Sequence, residues 1–464
     1  MISPPMISLP LRTLQVFCEC KAQQFLNQPP DPDQLTDSTN VILKRPLDNI
    51  FTRHLSHTVL ISVNGKDRPG ITSSLANILA EYPVNVLDID QSVIHDQLSW
   101  GMLIEVDDSA CGSTGKPDAL FKDLLFKAHE LELSIDFASV EQEALQQWQR
   151  DGAVDRYIVT LLGRSMDATL IARLTEIISK HDWNIATIQR ISERQRKIST
   201  DDNPLIAVEI RIHHSHGDVD ALRRECLLLA SHNQVDIAMQ QDSVWRRNRR
   251  LVCFDMDSTL IQSEVIDLMA EAAGVGSEVS AITESAMRGE LDFNQSFTRR
   301  MALLEGMPIS HLEQIDRDLK ITDGAETLVK NLRMLGYKTA IISGGFQFFA
   351  SRLAERLGID YVYANELDSV DGKLTGKVKG DIINEKRKAE LVRQIAAIEG
   401  IQLEQVIAVG DGANDIPMLS LAGLGIAFHA KPLVRDKAKN SFGTVGLDGI
   451  LYLIGMRENE IKDT

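Results

Sequence analysis

The sequence predicts an α/β protein in which a Rossmann-like parallel sheet with a helical cap follows two smaller ferredoxin-like α+β domains. Three observations support this fold class. Strand-like and helix-like stretches alternate from residue 251 onward, one strand-helix pattern occurs twice between residues 55 and 242, and polar, turn-forming clusters follow three apolar runs of the second half.

The composition is typical of a folded, water-soluble chain. Of the 464 residues, 44% are hydrophobic and 25% are charged, and the formal net charge is -17. This acidic excess disfavours nonspecific binding to nucleic acid or to an anionic membrane, because both require clustered Lys and Arg. An anionic substrate would therefore need a local cationic site.

The cysteines and the first residues indicate a cytoplasmic protein. The five cysteines lack the paired spacing of a zinc site or a disulfide framework, which favours reduced thiols. They are Cys18, Cys20, Cys111, Cys226 and Cys253. The opening stretch MISPPMISLP places prolines where a signal peptide has its apolar core, and no stretch has the length of a membrane span. We expect no contact with membrane or nucleic acid.

Two segments outside the predicted domains resemble loops or linkers. Residues 1–54 form an N-terminal extension without an assigned role, and its stretch NQPPDPDQLTDST is rich in turn-forming residues. WRRNRR (Trp245–Arg250) carries four arginines just before the second half. We interpret it as a solvated linker rather than a nucleic-acid patch.

The first half contains two copies of one pattern, at residues 55–145 and 152–242. Equivalent positions are Leu75 and Leu174, and Asn85 and Asn184. Each copy has a β-rich run, apolar residues at helical spacing, two further strands, a second helix and a last strand. The order βαββαβ is that of a ferredoxin-like sandwich.

The first copy resembles an ACT domain, because DRPG (Asp67–Gly70) lies between its first strand and helix. That resemblance implies an amino-acid effector, with serine as the first candidate, and association into a homodimer. The second copy keeps the pattern but has GRSMDA at this turn. Either copy would instead act only in dimerisation or as a brace if it binds no ligand.

The second half, residues 247–464, alternates strands with helices. The strand-like runs are LVCFD, KTAIIS, YVYANEL and QVIAVGD. Three of these runs lead into polar clusters, DMDST (255–259), SGG (343–345) and GDGAND (410–415). Because ligands bind at the carboxyl ends of the strands in such sheets, we expect these clusters to meet at one site.

Several carboxylates at one sheet edge indicate a metal-assisted reaction. Grouped carboxylates require a cation, and hard oxygen ligands suit Mg²⁺, which retains water and substrate phosphate in its shell. Of Asp255 and Asp257, one can ligate metal and attack phosphorus, and the other can donate and then accept a proton.

These clusters resemble the four motifs of the haloacid dehalogenase superfamily. The matching residues are Asp255, Asp257 and Thr259 in the first motif, Ser343 in the second, Lys388 in the third, and Asp411 with Asp415 in the fourth. The resemblance implies that Asp255 is the nucleophile and Asp257 the general acid and base. It also implies that Asp255, the backbone carbonyl of Asp257 and Asp411 hold Mg²⁺. Ser343, Gly344 and Lys388 would bind the phosphoryl oxygens, with Thr259 and Asp415 in support.

About 80 residues separate the first two strands of this half, so we predict a helical cap over about residues 264–335. Here the motifs resemble the phosphoserine phosphatase family. The resemblance implies that Glu264 binds the substrate ammonium and that Arg300 binds its carboxylate, with Arg299 as the neighbouring candidate. Met287 and Phe293 would form the apolar cap wall, and Asn414 would also contact substrate.

The resemblance implies hydrolysis of O-phospho-L-serine to L-serine and phosphate through an aspartyl-phosphate, as the last step of serine biosynthesis. Two alternatives stay open at this point. The first is a phosphotransferase, or a phosphatase for another small phosphomonoester. The second is an amino-acid-sensing module without turnover.

Overall fold

The computed structural model describes residues 56–107, 118–151, 155–193, 205–214 and 217–462. The N-terminal extension 1–54 lies outside these ranges. The chain divides into two compact units, Met1–Ala144 and Leu145–Thr464. Within the described ranges, no helix combines the length and the apolar character needed to cross a membrane.

The first unit contains a ferredoxin-like domain. Its elements are β1 (Ser56–Lys66), α1 (Ile71–Ala80), β2 (Val84–Ile94), β3 (Gln97–Asp107), α2 (Asp118–Glu130) and β4 (Ser134–Val140). The antiparallel sheet has the order β2-β3-β1-β4, with both helices on the core side. Helix α3 (Gln142–Asp151) runs across the division between the units.

The second unit begins with another domain of the same order. Its elements are β5 (Asp155–Gly163), α4 (Ala168–Lys180), β6 (Asn184–Arg190), β7 (Ile206–His214), α5 (Val219–Asn233) and β8 (Asp236–Gln241). The sheet order is β6-β7-β5-β8. The turn GRSMDA, which replaces the Pro-Gly turn of the first copy, supplies Asp167. The Asp167 side chain accepts a hydrogen bond from the Leu170 N–H at 2.8 Å and caps α4.

A seven-stranded sheet forms the centre of the second unit. Its strands are β9 (Leu251–Phe254), β10 (Lys338–Phe346), β11 (Tyr361–Val370), β12 (Lys373–Lys379), β13 (Val406–Gly410), β14 (Leu424–Phe428) and β15 (Asn440–Phe442). The order is β12-β11-β10-β9-β13-β14-β15, and all neighbours pair in parallel except β11 and β12. Every residue of β9 is fully buried, as expected for a central strand covered on both faces.

Helices cover this sheet and form an insertion between β9 and β10. The insertion contains α6 (Val265–Ala273), α7 (Gly276–Met287), α8 (Phe293–Ala302) and α9 (Ile309–Asp318). The next helix, α10 (Ala325–Met334), packs on β10. The remaining helices are α11 (Gln347–Leu357), α12 (Glu385–Ile398), α13 (Ile416–Leu421), α14 (Pro432–Lys437) and α15 (Gly449–Leu453).

The second ferredoxin-like domain docks on the β15 edge of the sheet domain. Asp236 is buried, and its carboxylate accepts hydrogen bonds from the N–H groups of Gly443, Thr444 and Val445 at 2.7 to 3.0 Å. The Asn440 side-chain oxygen accepts the Met239 N–H at 2.8 Å. Buried polar groups satisfied across an interface fix its geometry, so the two domains form one packed body.

The interpretation of WRRNRR as a solvated linker was wrong for two of its four arginines. Arg246 and Arg249 are only 5% and 4% exposed, whereas Arg247 and Arg250 are exposed. Residues Arg246–Asn248 form a 3-10 turn, in which every third side chain faces the same way. Arg246 and Arg249 therefore both face the interface between the two docked domains.

Candidate active site

The predicted clusters meet at a cavity of about 770 Å³ between the helical insertion and the carboxyl ends of β9, β10 and β13. Eight predicted site residues line this cavity: Asp255, Asp257, Glu264, Phe293, Arg300, Gly344, Asp411 and Asn414. Four others, Thr259, Ser343, Lys388 and Asp415, are buried beneath this lining. The thirteenth, Met287, ends α7, and its side chain lies outside the described part of the chain.

A sharp turn after β9 brings two carboxylates to the same edge of the sheet. The Asp255 N–H still bonds to the Val409 carbonyl at 2.9 Å, as in the strand, while its carboxylate accepts the Met256 N–H at 2.7 Å. Ser258 then adopts the left-handed φ of 53°, and the Ile261 N–H returns to the Met256 carbonyl at 3.1 Å. This turn places both Asp255 and Asp257 against the cavity.

A buried ammonium connects the first and last motifs. Lys388 Nζ lies 2.7 Å from Asp255 Oδ2 and 2.7 Å from Asp415 Oδ1, and Lys388 is fully buried. Burial alone would lower the pKa of Lys388, but the two adjacent carboxylates raise it above its ordinary value. The lysine therefore stays charged between the two carboxylates.

Asp257 is held in a different environment. Its Oδ1 accepts the Val265 N–H at 3.0 Å, and a side chain at Gly345 would come within 2.3 Å of its Oδ2. Burial, followed by the charges of Glu264 and Asp255, raises the pKa of Asp257 well above its ordinary range. The Asp257 carboxyl therefore favours its protonated form.

Asp411 completes a group of three carboxylates. Oxygens of Asp255, Asp411 and Asp415 all lie within 4.8 Å of one another. Asp415 is engaged by Lys388 and by the Gly412 N–H at 2.9 Å, whereas Asp411 accepts only a long 3.4 Å bond from the Thr259 hydroxyl among the contacts described. Burial and then the neighbouring carboxylates raise the pKa of Asp411 to about 8. Asp255 and Asp411 therefore fit a divalent cation, which would supply the missing countercharge.

Ser343 and Gly344 lie at the end of β10. Ser343 is fully buried, and its Oγ accepts the Gly345 N–H at 2.8 Å, so that this amide is already engaged. The Gly344 carbonyl accepts a hydrogen bond from Asn365 Nδ2 at 2.8 Å. A Cβ at Gly344 would lie 3.1 Å from Cζ of Phe293, so glycine allows the cap to approach closely.

The predicted amino-acid end of the site lies on the insertion. The Ser258 hydroxyl donates to Glu264 Oε1 at 3.0 Å. Arg300 lines the cavity, and its buried Nε has no hydrogen-bond partner in the described structure, whereas Arg299 is exposed and is not part of the lining. Burial lowers the pKa of Arg300, although three nearby carboxylates oppose this effect. The geometry thus favours Arg300 over Arg299 as the arginine of the site.

Aromatic rings form the apolar wall. Phe293 and Phe297 stack with their ring centroids 6.1 Å apart and an interplanar angle of 13°, and Phe297 lies 6.0 Å from Phe346. All three rings line the cavity. The wall therefore joins the insertion to the end of β10.

The cavity also contains charged residues that the sequence reasoning missed. Asp267 follows Glu264 by one helical turn, so its position on α6 was a usable signal. Lys431 precedes α14 outside the four motifs, and nothing in its local sequence marks it. Burial raises the pKa of Glu264, and the Lys431 charge opposes this shift.

The chain matches protein-family models, known proteins and solved structures. A protein-family model described as haloacid dehalogenase-like hydrolase matches residues 249–423. Two models described as ACT domain match residues 57–138 and 156–240. These matches confirm the predicted fold class of two ferredoxin-like domains followed by a parallel sheet with a helical cap.

Over 405 residues, the chain is 39% identical to the phosphoserine phosphatase of Streptomyces coelicolor, covering 87% of this chain and 94% of that protein. It is 38% identical to the phosphoserine phosphatase of Mycobacterium tuberculosis, with 87% and 95% covered. Among solved structures, a HAD family hydrolase from Salmonella enterica serovar Typhi matches at 30% identity with a TM-score of 0.54. That match covers 64% of this chain and 99% of that one.

The raised pKa of Asp411 predicts how the metal-free protein responds to pH. Because the folded state holds this proton up to about pH 8 and the unfolded state releases it near pH 4, the free energy of unfolding should fall as pH rises through this window. The Asp411→Asn variant lacks this titrating carboxyl, so its free energy of unfolding should not show this fall. Metal-free Asp411→Asn should therefore gain about 2 kcal/mol over the parent chain between about pH 6 and pH 8.

Denaturant unfolding in chelator at both pH values measures the difference, with the exposed Asp436→Asn as the control. Added Mg²⁺ should stabilise the parent chain and leave Asp411→Asn nearly unchanged. An equal response to pH in the parent and Asp411→Asn would show that this carboxyl does not titrate as described.

Proposed function

The chain belongs to the phosphoserine phosphatase family of haloacid dehalogenase-like hydrolases, and from this premise we propose that it hydrolyses O-phospho-L-serine to L-serine and phosphate. The carrying observation is the buried Lys388 ammonium, 2.7 Å from Asp255 Oδ2, below a cavity whose cap side presents Glu264 and Arg300. A carboxylate oxygen held beside a buried cation at the edge of this cavity suits nucleophilic attack on phosphorus.

In the first step, an oxygen of Asp255 attacks phosphorus and the bond from phosphorus to the serine oxygen breaks. Asp257 gives its proton to the departing serine oxygen. The raised pKa of Asp257, which burial and the charges of Glu264 and Asp255 produce, supports its role as the acid at neutral pH. The product of this step is an aspartyl-phosphate on Asp255 with serine released.

In the second step, the ionised Asp257 takes a proton from water as the water oxygen attacks phosphorus. The bond between phosphorus and Asp255 breaks, phosphate leaves, and Asp257 again holds its proton. Asp257 thus acts as the acid toward the departing serine oxygen in the first step and as the base toward the attacking water oxygen in the second. Its bond from the Val265 N–H at 3.0 Å supports a fixed carboxyl orientation through both steps.

Mg²⁺ is the cofactor in this proposal, held by Asp255, the backbone carbonyl of Asp257 and Asp411. When bound, it would supply positive charge to the phosphoryl oxygens and compensate the acidic cluster. Asp415 belongs to the same group of carboxylates, and the proposal assigns it to Lys388 and not to the metal. Thr259 holds the Asp411 carboxylate, and Asp415 holds the lysine.

Ser343, the Gly344 amide and Lys388 would stabilise the phosphoryl oxygens, and Asn414 would contact the substrate from the β13 side. Two carboxylates hold the Lys388 ammonium below the cavity floor. Its positive charge would act on the phosphoryl oxygens from that position. Ser343 accepts the Gly345 N–H, which leaves its own hydroxyl hydrogen available to a phosphoryl oxygen.

The amino-acid part of the substrate would lie against the cap. Glu264 would bind the ammonium, the Arg300 fork would bind the carboxylate, and Phe293 with Met287 would exclude water. The free Nε of Arg300 supports this assignment. Motion of the cap over residues 264–335 would gate substrate entry.

Several wider assignments are part of the same proposal. The enzyme would act in the cytoplasm in the last step of serine biosynthesis, as a homodimer. Its domains would span residues 55–145, 152–242 and 247–464. Serine or another amino acid would bind the first ACT domain, where Gly70 takes the left-handed φ of 95° at the DRPG turn. Calorimetric titration of serine into the full chain would detect that effector.

The direct test of function is phosphate release from phosphoserine by the full chain with Mg²⁺. We expect release that depends on Mg²⁺ and falls by about 10³-fold or more in Asp255→Asn, because the nucleophile is lost. Phosphothreonine, a sugar phosphate and a competing alcohol acceptor complete the assay. Activity confined to these other phosphates, or transfer of the group to the alcohol, would reject the proposed reaction.

Adjacent arginines on α8 give a matched pair for the substrate assignment. Arg300→Lys should raise the KM for phosphoserine by about tenfold or more, because lysine cannot form the bidentate contact with the carboxylate. Arg299→Lys should leave it unchanged, since Arg299 points to solvent. An aryl phosphate without an amino-acid group should be hydrolysed equally by both variants. Equal KM values for phosphoserine in the two variants would remove Arg300 from the site.

A further inference from the structure

A second cationic cavity lies at the interface between the second ACT domain and the sheet domain. Its volume is about 190 Å³. It is bounded by β8 of the ACT domain, by WRRNRR, and by segments of the sheet domain around Glu404, Gly423–Gly425 and Lys439. Neither the proposed reaction nor the predicted effector uses this space.

The charged lining of this cavity is strongly unbalanced. Four cationic side chains and one anionic side chain line it: Arg223, Arg246, Arg249 and Lys439 against Glu404. Arg246 is paired with Glu209, with 2.7 Å between Nη2 and Oε2, and Arg223 is paired with Asp220. These two pairs leave Arg249 and Lys439 against Glu404, which is a net charge of +1 at the cavity.

Arg249 carries a buried charge without a carboxylate partner in the described structure. Its guanidinium donates to Gln240 Oε1 at 3.0 Å and, over 3.4 Å, to the backbone carbonyl of Glu404. It is 4% exposed. Burial, with a smaller contribution from the Arg246 charge, lowers the pKa of Arg249 to about 10, so the group remains charged at neutral pH. A buried charge of this kind is unfavourable unless an anion compensates it.

Three of the arginines at this interface also have an unsatisfied hydrogen-bond donor. The Nε groups of Arg223, Arg246 and Arg249 are buried and have no acceptor within the described residues. Buried polar groups are normally satisfied, and an unpaired donor calls for a ligand or an ordered water. Unsatisfied donors on cationic groups around one cavity favour an anionic acceptor with several oxygens.

We infer that this interdomain cavity binds a small tetrahedral oxyanion, with inorganic phosphate as its first candidate. The volume of about 190 Å³ corresponds to roughly six water molecules, which accommodates a tetrahedral oxyanion with a few waters. The Arg forks provide paired donors for its oxygens.

The cavity is distinct from the active site. WRRNRR leads directly into β9, whose opposite end carries Asp255, and the Arg250 N–H bonds to the Gln405 carbonyl just before β13. The anion would thus sit at the amino ends of the strands, while the reaction occurs at their carboxyl ends. By joining Arg249 to the docked ACT domain, it would stabilise the interface against separation.

Thermal unfolding of the full chain tests this inference without any measurement of activity. Phosphate is added in chelator at constant ionic strength to the parent chain, to Arg249→Gln and to the matched control Arg250→Gln, whose side chain is exposed. The parent and Arg250→Gln should show a saturable rise of the unfolding temperature by several degrees. Arg249→Gln should bind phosphate at this cavity about tenfold or more weakly and show a much smaller rise.

Phosphate bound at the active site contributes equally to all three proteins, so the difference between them belongs to the interdomain cavity. Calorimetric titration should count one phosphate site fewer in Arg249→Gln. Sulfate should reproduce part of the rise, and acetate should not.

Equal phosphate shifts in Arg249→Gln and the parent chain would overturn the inference, as would an equal shift with acetate. If Arg249→Gln does not fold, Lys439→Gln offers a second variant, because Lys439 is exposed and lines the same cavity. Its phosphate shift should fall below that of Arg250→Gln, and an unchanged shift would also reject the site.

Discussion

The contact of Lys388 with Asp255 and Asp415 is the constraint on which the rest of the active site depends. A fully buried ammonium requires anionic partners, and breaking such a pair by removing one partner costs about 3–5 kcal/mol. Because Asp255 ends β9, Asp415 follows β13 and Lys388 lies on α12, this one cation fixes three elements around the edge of the sheet. It also gathers carboxylates at this edge, which sets the need for a divalent cation.

The sequence predicted much of this arrangement because its signals were local. Apolar runs that end in DMDST, SGG and GDGAND indicate strands that deliver polar residues to one edge. Lys388 was harder to assign to the site from the sequence, since NEKRKAEL alone looks like a solvated helix face. Only the family resemblance placed this lysine in the site. Its burial depends on a partner 27 residues away and on another on β9. Lys431 lies outside the four motifs and lines the cavity only through tertiary structure.

The second ferredoxin-like domain is packed against the sheet domain. It buries Asp236 against the N–H groups of 443–445 and encloses Arg249 at its boundary with the sheet domain, so it belongs to the catalytic body. The misjudged WRRNRR stretch shows why sequence reasoning failed there. Clustered arginines usually remain in solvent, but a 3-10 turn between two docked domains directs alternate members of the cluster inward. That outcome depends on a surface assembled from distant segments, which local composition does not encode.

The central claim is that Asp255 carries the phosphoryl group during turnover. Acid quenching of the full chain while it consumes phosphoserine with Mg²⁺, followed by peptide mass spectrometry, tests it most directly. We expect one phosphoryl group on the peptide containing Asp255, and none when Asp255 is replaced by Asn. Rapid consumption of phosphoserine with the phosphoryl group on another residue, or with none trapped on Asp255 under conditions that preserve acyl phosphates, would contradict it.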